Sequence, residues 1–224
     1  MVDRRVTEYV WQVPKRGTAR VADRAVLLAH GAGSDMHGAA LVAVSNALAA
    51  VGVASLRFNY PYRTNGRGAP DRPAVLEAAT REAASELARR AKLSPERLVL
   101  GGRSMGGRYC SMVVGAAEDP VPALGLLLLG YPLHAAGKAD QPRVEHFPRI
   151  RVPVLFVSGT RDALAPRAGL TAAARKVRGS RSFHWIDTAD HGYRPLKSSG
   201  QTIDAVLADV GAIVSGWVTQ LPNS

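Results

Sequence analysis

The sequence predicts an α/β fold in which helices cover both faces of a mostly parallel central sheet. Short runs that are apolar at every position alternate with longer segments whose apolar residues recur at helical spacing. Strands that are apolar throughout are typical of parallel sheets buried on both faces. The chain has 224 residues, a length that suits one domain of this class, so we expect a single domain over residues 1–224.

The predicted elements begin with two strands and then continue as strand and helix units. The first two strands lie around residues 7–13 and near Arg20, separated by a Pro- and Gly-containing turn at 14–17. The apolar run 25–29 is the next strand, followed by a Gly-rich turn and a helix that ends at Gly52. The residues expected on the buried face of this helix are Leu41, Val44, Leu48 and Val51.

The same unit recurs toward the C-terminus. Further strands are predicted at 53–59, 98–101, 123–129, 152–158 and 182–187, and further helices at 73–92, 105–117 and 166–177. The last helix has the clearest pattern, and we expect its apolar face to pack on the sheet. That face comprises Ile203, Val206, Leu207, Val210, Ile213, Val214 and Trp217. Residues 61–72 and 133–150 lack periodicity, and neither stretch is long enough for a separate cap domain.

Composition excludes several classes of protein. Hydrophobic residues make up 46% of the chain and charged residues 21%, which argues against disorder. The first residues contain no apolar signal segment, and the longest apolar run, 121–133, is too short to span a bilayer, so we expect a soluble, cytoplasmic protein. The single cysteine, Cys110, argues against disulfides, redox chemistry and a multi-cysteine metal site, and we expect no metal.

The net charge of +11 raises the question of an anionic partner. The basic residues are 24 Arg and 5 Lys, spread along the whole chain, which is typical of a solvated surface. There is no zinc-finger spacing, aromatic RNA-binding motif or basic arm, so we expect no nucleic-acid partner. The charge remains available to attract an anionic substrate.

The segment Gly102-Arg103-Ser104-Met105-Gly106 carries the strongest chemical signal. It lies between a predicted strand and a predicted helix, where a G-x-S-x-G turn forces the serine into a strained backbone conformation that exposes its hydroxyl. We therefore predict that Ser104 is a nucleophile. The alternative is a glycine-rich turn that serves only close packing of strand and helix. Cys110 follows within the helix and is expected to be buried.

A serine nucleophile needs a general base and an acid that orients it, in the chain order Ser, acid, His. His191 follows the last predicted strand and is the expected base, with His134 as the second choice; His184 lies inside a predicted strand. Asp162 follows the strand 152–158 and is the expected acid. Its competitors are Asp187 and Asp190, which are too near His191 in sequence to reach its far ring nitrogen easily.

The transition-state oxyanion needs two amide donors. The amide of Met105, at the start of the helix after Ser104, is one candidate. The other should come from the turn His30-Gly31-Ala32-Gly33-Ser34, where we assign Ala32, with Gly31 as the alternative and His30 as a structural brace. The turn could also be a tight connection without a catalytic part.

Taken in this order, the motifs resemble those of the α/β-hydrolase superfamily over nearly the whole chain. The resemblance also includes Gly107 and the segment Ser158-Gly159-Thr160-Arg161-Asp162. Shorter segments, 58–62, 129–134 and 159–164, resemble its lidless branch, which includes testis-expressed protein 30 and a chromatin-complex subunit. The resemblance implies an α/β-hydrolase fold with no large cap domain. Without a cap, loops must shape the pocket, and the candidate substrate-binding residues are Tyr60, Tyr62, Arg63, Tyr131, His134 and Arg103.

The function expected from these residues is hydrolysis of a small carboxylic ester through a Ser-His-Asp triad and an acyl-enzyme, with no cofactor. A thioesterase is the nearest rival, and a peroxidase-like side activity of the same triad is a weaker option. The alternative from another class is a binding or scaffold protein that kept the fold and lost catalysis. The presence of Ser104, Asp162 and His191 together argues against it. The sequence leaves the substrate and the oligomeric state open.

Overall fold

The computed structural model describes residues 7–14, 17–19, 21 and 23–222. Its strands are β1 (Tyr9–Gln12), β2 (Ala25–Ala29), β3 (Ala54–Phe58), β4 (Leu98–Arg103), β5 (Gly125–Leu129), β6 (Val154–Gly159) and β7 (Arg181–Ile186). Its α-helices are α1 (Ala39–Ala50), α2 (Pro61–Thr64), α3 (Pro73–Ala91), α4 (Met105–Val114), α5 (Arg167–Ala174) and α6 (Ile203–Gln220). Single 3-10 turns occupy Pro95–Arg97, Phe147–Arg149 and Lys197–Ser199.

The strands form one sheet in the order β1-β3-β2-β4-β5-β6-β7. Strand β1 runs antiparallel to β3, and every other neighbouring pair is parallel. The carboxyl ends of β2 to β7 therefore meet at one edge, where α/β sheets hold their ligands. The mostly parallel α/β sheet predicted from the sequence is confirmed.

Helices cover both faces of the sheet because its strands are apolar on both sides. In β5, Leu126 and Leu128 pack into one buried cluster together with residues of α3, α4 and α5. Leu127 and Leu129 point the other way, into a second cluster with residues of α1 and α6. The alternation along one strand thus assigns each helix to a face.

The helix ends follow local chemistry. Helix α3 begins with Pro73, whose missing N–H is not needed in a first turn, and ends at Ala91, followed by the C-cap Lys92 in the left-handed conformation (φ 58°). The Thr202 side chain caps α6 by accepting a hydrogen bond from the Ala205 amide at 3.2 Å. Past α1 the chain turns at Gly52 (φ 86°), where an added Cβ would lie 2.1 Å from Ala19 O.

The structure corrects three details of the sequence analysis. Arg20 lies outside the described residues, and its described neighbours 17–19 and 21 belong to no strand, so the second N-terminal strand is not supported there. Val51 is 37% exposed and caps α1, because the chain turns away at Gly52 to enter β3. The aperiodic stretch 61–72 contains the short helix α2, which begins at Pro61.

Candidate active site

Ser104 lies at the sharp turn between β4 and α4. Its backbone has φ 50° and ψ −114°, a conformation that costs a non-glycine residue about 1–3 kcal/mol. The surroundings hold it there, since the Ser104 amide donates to Leu129 O at 2.8 Å and the Ser104 carbonyl accepts from the Arg108 amide at 3.0 Å. The turn therefore has the geometry that the sequence motif predicts.

The glycines beside Ser104 are needed for close approach to β2. A Cβ on Gly102 would lie 2.2 Å from Ala29 O, and one on Gly106 would lie 2.3 Å from the same atom. Both distances are far below van der Waals contact, so a side chain at either position would push β2 away from β4 or from α4. Glycine keeps the turn seated on the sheet.

Three side chains from separate loops form a continuous chain of hydrogen bonds. Ser104 Oγ lies 2.9 Å from His191 Nε2, and His191 Nδ1 lies 2.8 Å from Asp162 Oδ2. Because Nδ1 faces a carboxylate it carries the ring proton, which leaves the Nε2 lone pair to accept from the serine hydroxyl. Asp162 follows β6 and His191 follows β7, so the parallel sheet brings the three together at its carboxyl edge.

The environments of the acid and the imidazole differ. The Asp162 side chain has no exposed surface, whereas the His191 side chain is 27% exposed. The second carboxylate oxygen, Oδ1, accepts a hydrogen bond from the Leu164 amide at 2.9 Å. Asp162 is thus fixed and shielded from solvent, while His191 faces the cleft.

The competing residues have other roles in the structure. Asp190 Oδ1 accepts hydrogen bonds from the amides of Gly192 (2.7 Å) and Arg194 (2.9 Å), which closes the loop that carries His191. Asp187 is exposed. His134 bonds to the neighbouring Ala135 carbonyl at 2.9 Å, and His184 lies on the outer strand β7.

The loop after β2 forms a tight turn beside Ser104. The Ser34 amide donates to Gly31 O at 3.2 Å, and Gly33 has φ 73°, which identifies a type II turn with glycine at its third position. Within the described residues, no bond uses the amide of Ala32, and Met105 N begins α4, where an amide has no partner inside the helix. Both amides are therefore free to bind a ligand oxygen.

His30 braces this turn, as the sequence suggested. It is fully buried, and it accepts a hydrogen bond from the Tyr60 amide through Nε2 at 3.1 Å. Its Nδ1 donates to Gly31 O at 2.8 Å. Burial lowers the pKa of His30 below its ordinary value, which keeps the ring neutral and suited to both bonds.

A cleft of about 470 Å³ lies over Ser104 and His191. Arg103 lines it, as predicted, but Tyr60, Tyr131 and His134 are not among its described lining residues.

Tyr60 and Tyr131 are fully buried, with hydroxyls bonded to Thr80 Oγ1 and Arg143 O, and His134 is 7% exposed. Burial directs these three side chains into the protein, and their role in substrate binding stays a prediction. Of the remaining candidates, Tyr62 is fully buried and Arg63 forms an ion pair with Asp35 (3.5 Å).

The cleft has further lining residues that the sequence patterns did not indicate. Arg194 lies three positions beyond His191 in the same loop, and Ile203 and Leu207 reach the cleft from the start of α6. In the sequence, the position of Arg194 close to the candidate base His191 could have indicated that Arg194 lines the cleft. Ile203 was assigned to the face packed on the sheet, yet it is 39% exposed.

The structure also locates the cysteine and allows a search for metal-binding groups and membrane-spanning helices. Cys110 is fully buried and bonds to Gly101 O at 3.3 Å, and burial raises the pKa of its thiol. No group of three or more His, Cys, Asp or Glu side chains is placed to hold a metal ion in the described part of the chain. Among the same residues, no helix is both long and apolar enough to cross a lipid bilayer.

Comparison with known proteins agrees with this fold. The family model for an alpha/beta hydrolase domain matches residues 22–219. An α/β serine hydrolase homologue from Coxiella burnetii is 16% identical with a TM-score of 0.69, covering 94% of this chain and 90% of the other. An α/β serine hydrolase without a lid from Xanthomonas campestris is 17% identical with a TM-score of 0.67, covering 97% and 91%.

A soluble variant of monoglyceride lipase from Saccharomyces cerevisiae is likewise similar, with 17% identity, a TM-score of 0.70 and coverage of 97% of this chain and 92% of the other. At these identities the solved structures establish the shared architecture, and the part of this chain that the structure describes contains no large cap domain. The family model spans most of the chain on its own. The protein therefore belongs to the α/β-hydrolase domain family.

Proposed function

We propose that this protein is a serine hydrolase that cleaves a carboxylic ester of a small molecule. The observation that carries the proposal is the unbroken chain of hydrogen bonds from Ser104 Oγ through His191 to Asp162. Its members come from three loops that are distant in sequence and meet at the sheet edge where this fold places its chemistry.

In the first half of the reaction, Ser104 Oγ attacks the ester carbonyl carbon while His191 Nε2 takes the hydroxyl proton. The carbonyl oxygen becomes an oxyanion, which the free amides of Met105 and Ala32 stabilise. Asp162 holds the imidazole in the productive orientation and stabilises its positive charge. Collapse of the intermediate breaks the ester bond, and the proton on Nε2 leaves with the alcohol. An acyl-enzyme on Ser104 remains.

In the second half, a water molecule takes the place of the alcohol. His191 removes its proton as it attacks the acyl carbon, and the same two amides bind the second oxyanion. The bond to Ser104 Oγ then breaks, the proton returns to the serine, and the carboxylic acid leaves. No step requires a cofactor or a metal.

The cleft volume of about 470 Å³ suits a small substrate, and loops and the start of α6 border the cleft. Carboxylesters are the expected class and thioesters the nearest rival, because the same attack serves both. The two classes differ in the leaving group, which is an alcohol in an ester and a thiol in a thioester. Comparing kcat/KM for oxygen and sulfur esters that share one acyl chain would show which class the protein prefers.

The test uses p-nitrophenyl esters from acetate to decanoate with the wild-type protein and Ser104→Ala. Removal of the nucleophile should lower kcat by about three orders of magnitude or more and abolish labelling by a fluorophosphonate probe. Ser85→Ala, an exposed serine on α3, is the matched control and should behave as wild type. If wild type neither hydrolyses the esters nor takes up the probe, a binding or scaffold role replaces this proposal.

We also propose that the chain falls in the lidless branch that includes testis-expressed protein 30, and that it acts in the cytoplasm without a nucleic-acid partner. The first rests on the short motifs at 58–62, 129–134 and 159–164. Residence in a reducing compartment suits a chain whose one cysteine, Cys110, is buried and unpaired. Cell fractionation with an antibody to the protein would test the proposed location in the cytoplasm.

A further inference from the structure

The charge of the cleft is one-sided. Two arginines, Arg103 and Arg194, line it together with Ser104 and His191, and its described lining residues contain no carboxylate. Two acids of the adjoining loops are already engaged: Asp162 with His191 and Leu164, and Asp190 with two backbone amides. The positive charge of the two guanidinium groups is therefore not neutralised by the walls of the cleft.

Arg103 is held in place by weak contacts that leave much of its hydrogen-bonding capacity unused. The guanidinium lies over the Tyr193 ring, with Cζ 5.0 Å from the ring centroid. Only Nη1 is near protein acceptors, at 3.4 Å from Leu129 O and 3.5 Å from Gly130 O. In the described chain, Nε and Nη2 donate to no protein group. Arg103 is thus oriented by stacking while keeping donors for a ligand.

The backbone makes room for this arginine. Gly130 has φ 56°, and a Cβ there would lie 2.6 Å from Arg103 Nη1. Tyr193, on which the guanidinium stacks, is fully buried, and its hydroxyl donates to Val157 O at 2.8 Å. A rigid ring below and a glycine beside it give the Arg103 head group a defined position.

That position is close to the reacting atoms. Arg103 Nη1 lies 3.4 Å from His191 Nε2, which itself lies 2.9 Å from Ser104 Oγ. An anion bound to Arg103 would consequently sit only a few atoms from the carbonyl carbon that Ser104 attacks. Such a short reach suits a carboxylate, whose planar shape matches the guanidinium fork.

Arg194 supplies the second charge. It is exposed, and within the described residues its side chain forms no ion pair or hydrogen bond. Its backbone is fixed, because the Arg194 amide donates to Asp190 Oδ1 and the Arg194 carbonyl accepts from the Asp190 amide at 3.0 Å. The side chain can therefore swing over a ligand from an anchored loop.

We propose that the substrate is an ester that carries a carboxylate near its scissile carbonyl, with Arg103 and Arg194 binding that carboxylate. This inference rests on the proposed esterase function and names its substrate class. The cleft is also lined by three apolar side chains, Leu41, Ile203 and Leu207. The uncharged end of the substrate therefore packs on the start of α6, and the charged end faces the two arginines.

The experiment compares three p-nitrophenyl esters of similar size: the hemi-ester of glutaric acid, its neutral methyl ester, and a trimethylammonium analogue. Rates measured with Ser104→Ala are subtracted, because a neighbouring carboxylate accelerates spontaneous hydrolysis. One charge-assisted hydrogen-bonded contact should give the anionic ester a preference of about tenfold or more in kcat/KM over the neutral one. The cationic ester should be the poorest substrate.

Variants assign the preference to the two arginines. Arg103→Gln and Arg194→Gln should each reduce the ratio of anionic to neutral kcat/KM by about fivefold to tenfold. Because Arg194 is exposed, its substitution leaves the core intact, so the test does not depend on how Arg103→Gln folds. Arg175→Gln, an exposed arginine at the end of α5, removes the same charge far from the cleft and should retain the wild-type ratio.

The outcomes separate the two proposals. Hydrolysis of all three esters at similar rates, or a ratio that Arg175→Gln lowers as much as Arg194→Gln, would overturn the carboxylate inference and leave the esterase standing. Silence toward all three esters in a protein that the fluorophosphonate probe still labels would also overturn it. If the probe fails as well, the proposed function itself falls.

Discussion

Asp162 shows how one buried carboxylate can serve the site. Both its oxygens are committed, one to His191 Nδ1 and one to the Leu164 amide, and the side chain has no exposed surface. A buried charge is tolerated only with such partners. The same two bonds set the orientation of the carboxylate. In the proposed reaction this orientation fixes the ring tautomer in which His191 Nε2 accepts the Ser104 proton.

Replacing this carboxylate by an amide tests that role. In Asp162→Asn the amide nitrogen can donate to Nδ1, which would move the ring proton to Nε2 and block proton acceptance from Ser104. We expect kcat to fall by about four orders of magnitude with a smaller change in KM. Stopped assays of ester hydrolysis and the rate of fluorophosphonate labelling would measure this.

The control is Asp187→Asn, which removes a carboxylate of the His191 loop region that is exposed. It should hydrolyse esters at the wild-type rate. Equal losses in the two variants would instead mean that general electrostatics of the loop, and not the orientation of His191, limits the reaction.

At the scale of elements, the turn from β4 to α4 depends on backbone contact with β2. The carbonyl of Ala29 lies where a Cβ of Gly102 or Gly106 would be. Glycine usually destabilises a helix relative to alanine. At position 106 glycine is nevertheless required, because a side chain there would clash with the Ala29 carbonyl. Gly216 in α6 has no such neighbour, since nothing lies within 4 Å of its missing Cβ.

Alanine at these two helical glycines should therefore have opposite effects. Gly106→Ala should lower the free energy of unfolding by about 2–3 kcal/mol, because β2 or α4 must move. Gly216→Ala should raise it by up to about 1 kcal/mol through helix propensity alone. Urea unfolding followed by circular dichroism gives both values, and an unchanged free energy of unfolding in Gly106→Ala would contradict the close packing described for the turn between β4 and α4.

At the scale of the whole molecule, a buried histidine links folding to pH. His146 lies 6% exposed against α4, where its Nε2 is 2.7 Å from Ser111 Oγ. Burial, followed by the charges of Arg108 and Arg149, lowers the pKa of His146 to about 4. The folded protein keeps this ring neutral, while the unfolded chain would protonate it near its ordinary pKa of about 6.5.

The sign of the effect follows from proton uptake. Between about pH 6.5 and 4 the unfolded state binds the extra proton, so this contribution to stability is complete above pH 6.5 and is lost as the pH falls through about 4. The loss is on the order of 3 kcal/mol. His146→Gln should be less stable at pH 7 but lose less stability on acidification, as measured by urea unfolding at several pH values.

His37→Gln is the control for this pH effect, because His37 is exposed. Its unfolding free energy should keep the wild-type dependence on pH. A His146→Gln curve parallel to wild type from pH 7 to 4 would show that this ring does not carry the acid sensitivity.

The sequence by itself determined the alternation of strands and helices from β2 onward, apart from the short helix α2, and the residues of the candidate triad. Apolar runs and helical spacing depend on near neighbours, so β2, β4 and α6 could be read directly from the chain. The G-x-S-x-G turn at Ser104 is also local, because the strained residue and the two flanking glycines lie within five positions. With the fold class predicted, the positions of Asp162 and His191 follow, since parallel strands bring their carboxyl ends to one edge.

Only the tertiary structure decided which side chains face the cleft. Tyr60, Tyr131 and His134 follow strands at the correct edge, yet they pack inward because neighbouring rings and carbonyls take up their polar atoms. Conversely, Arg194 and Ile203 line the same cleft as Ser104. The direction of a loop side chain depends on contacts between residues far apart in sequence, whereas periodicity reports only on neighbours along the chain.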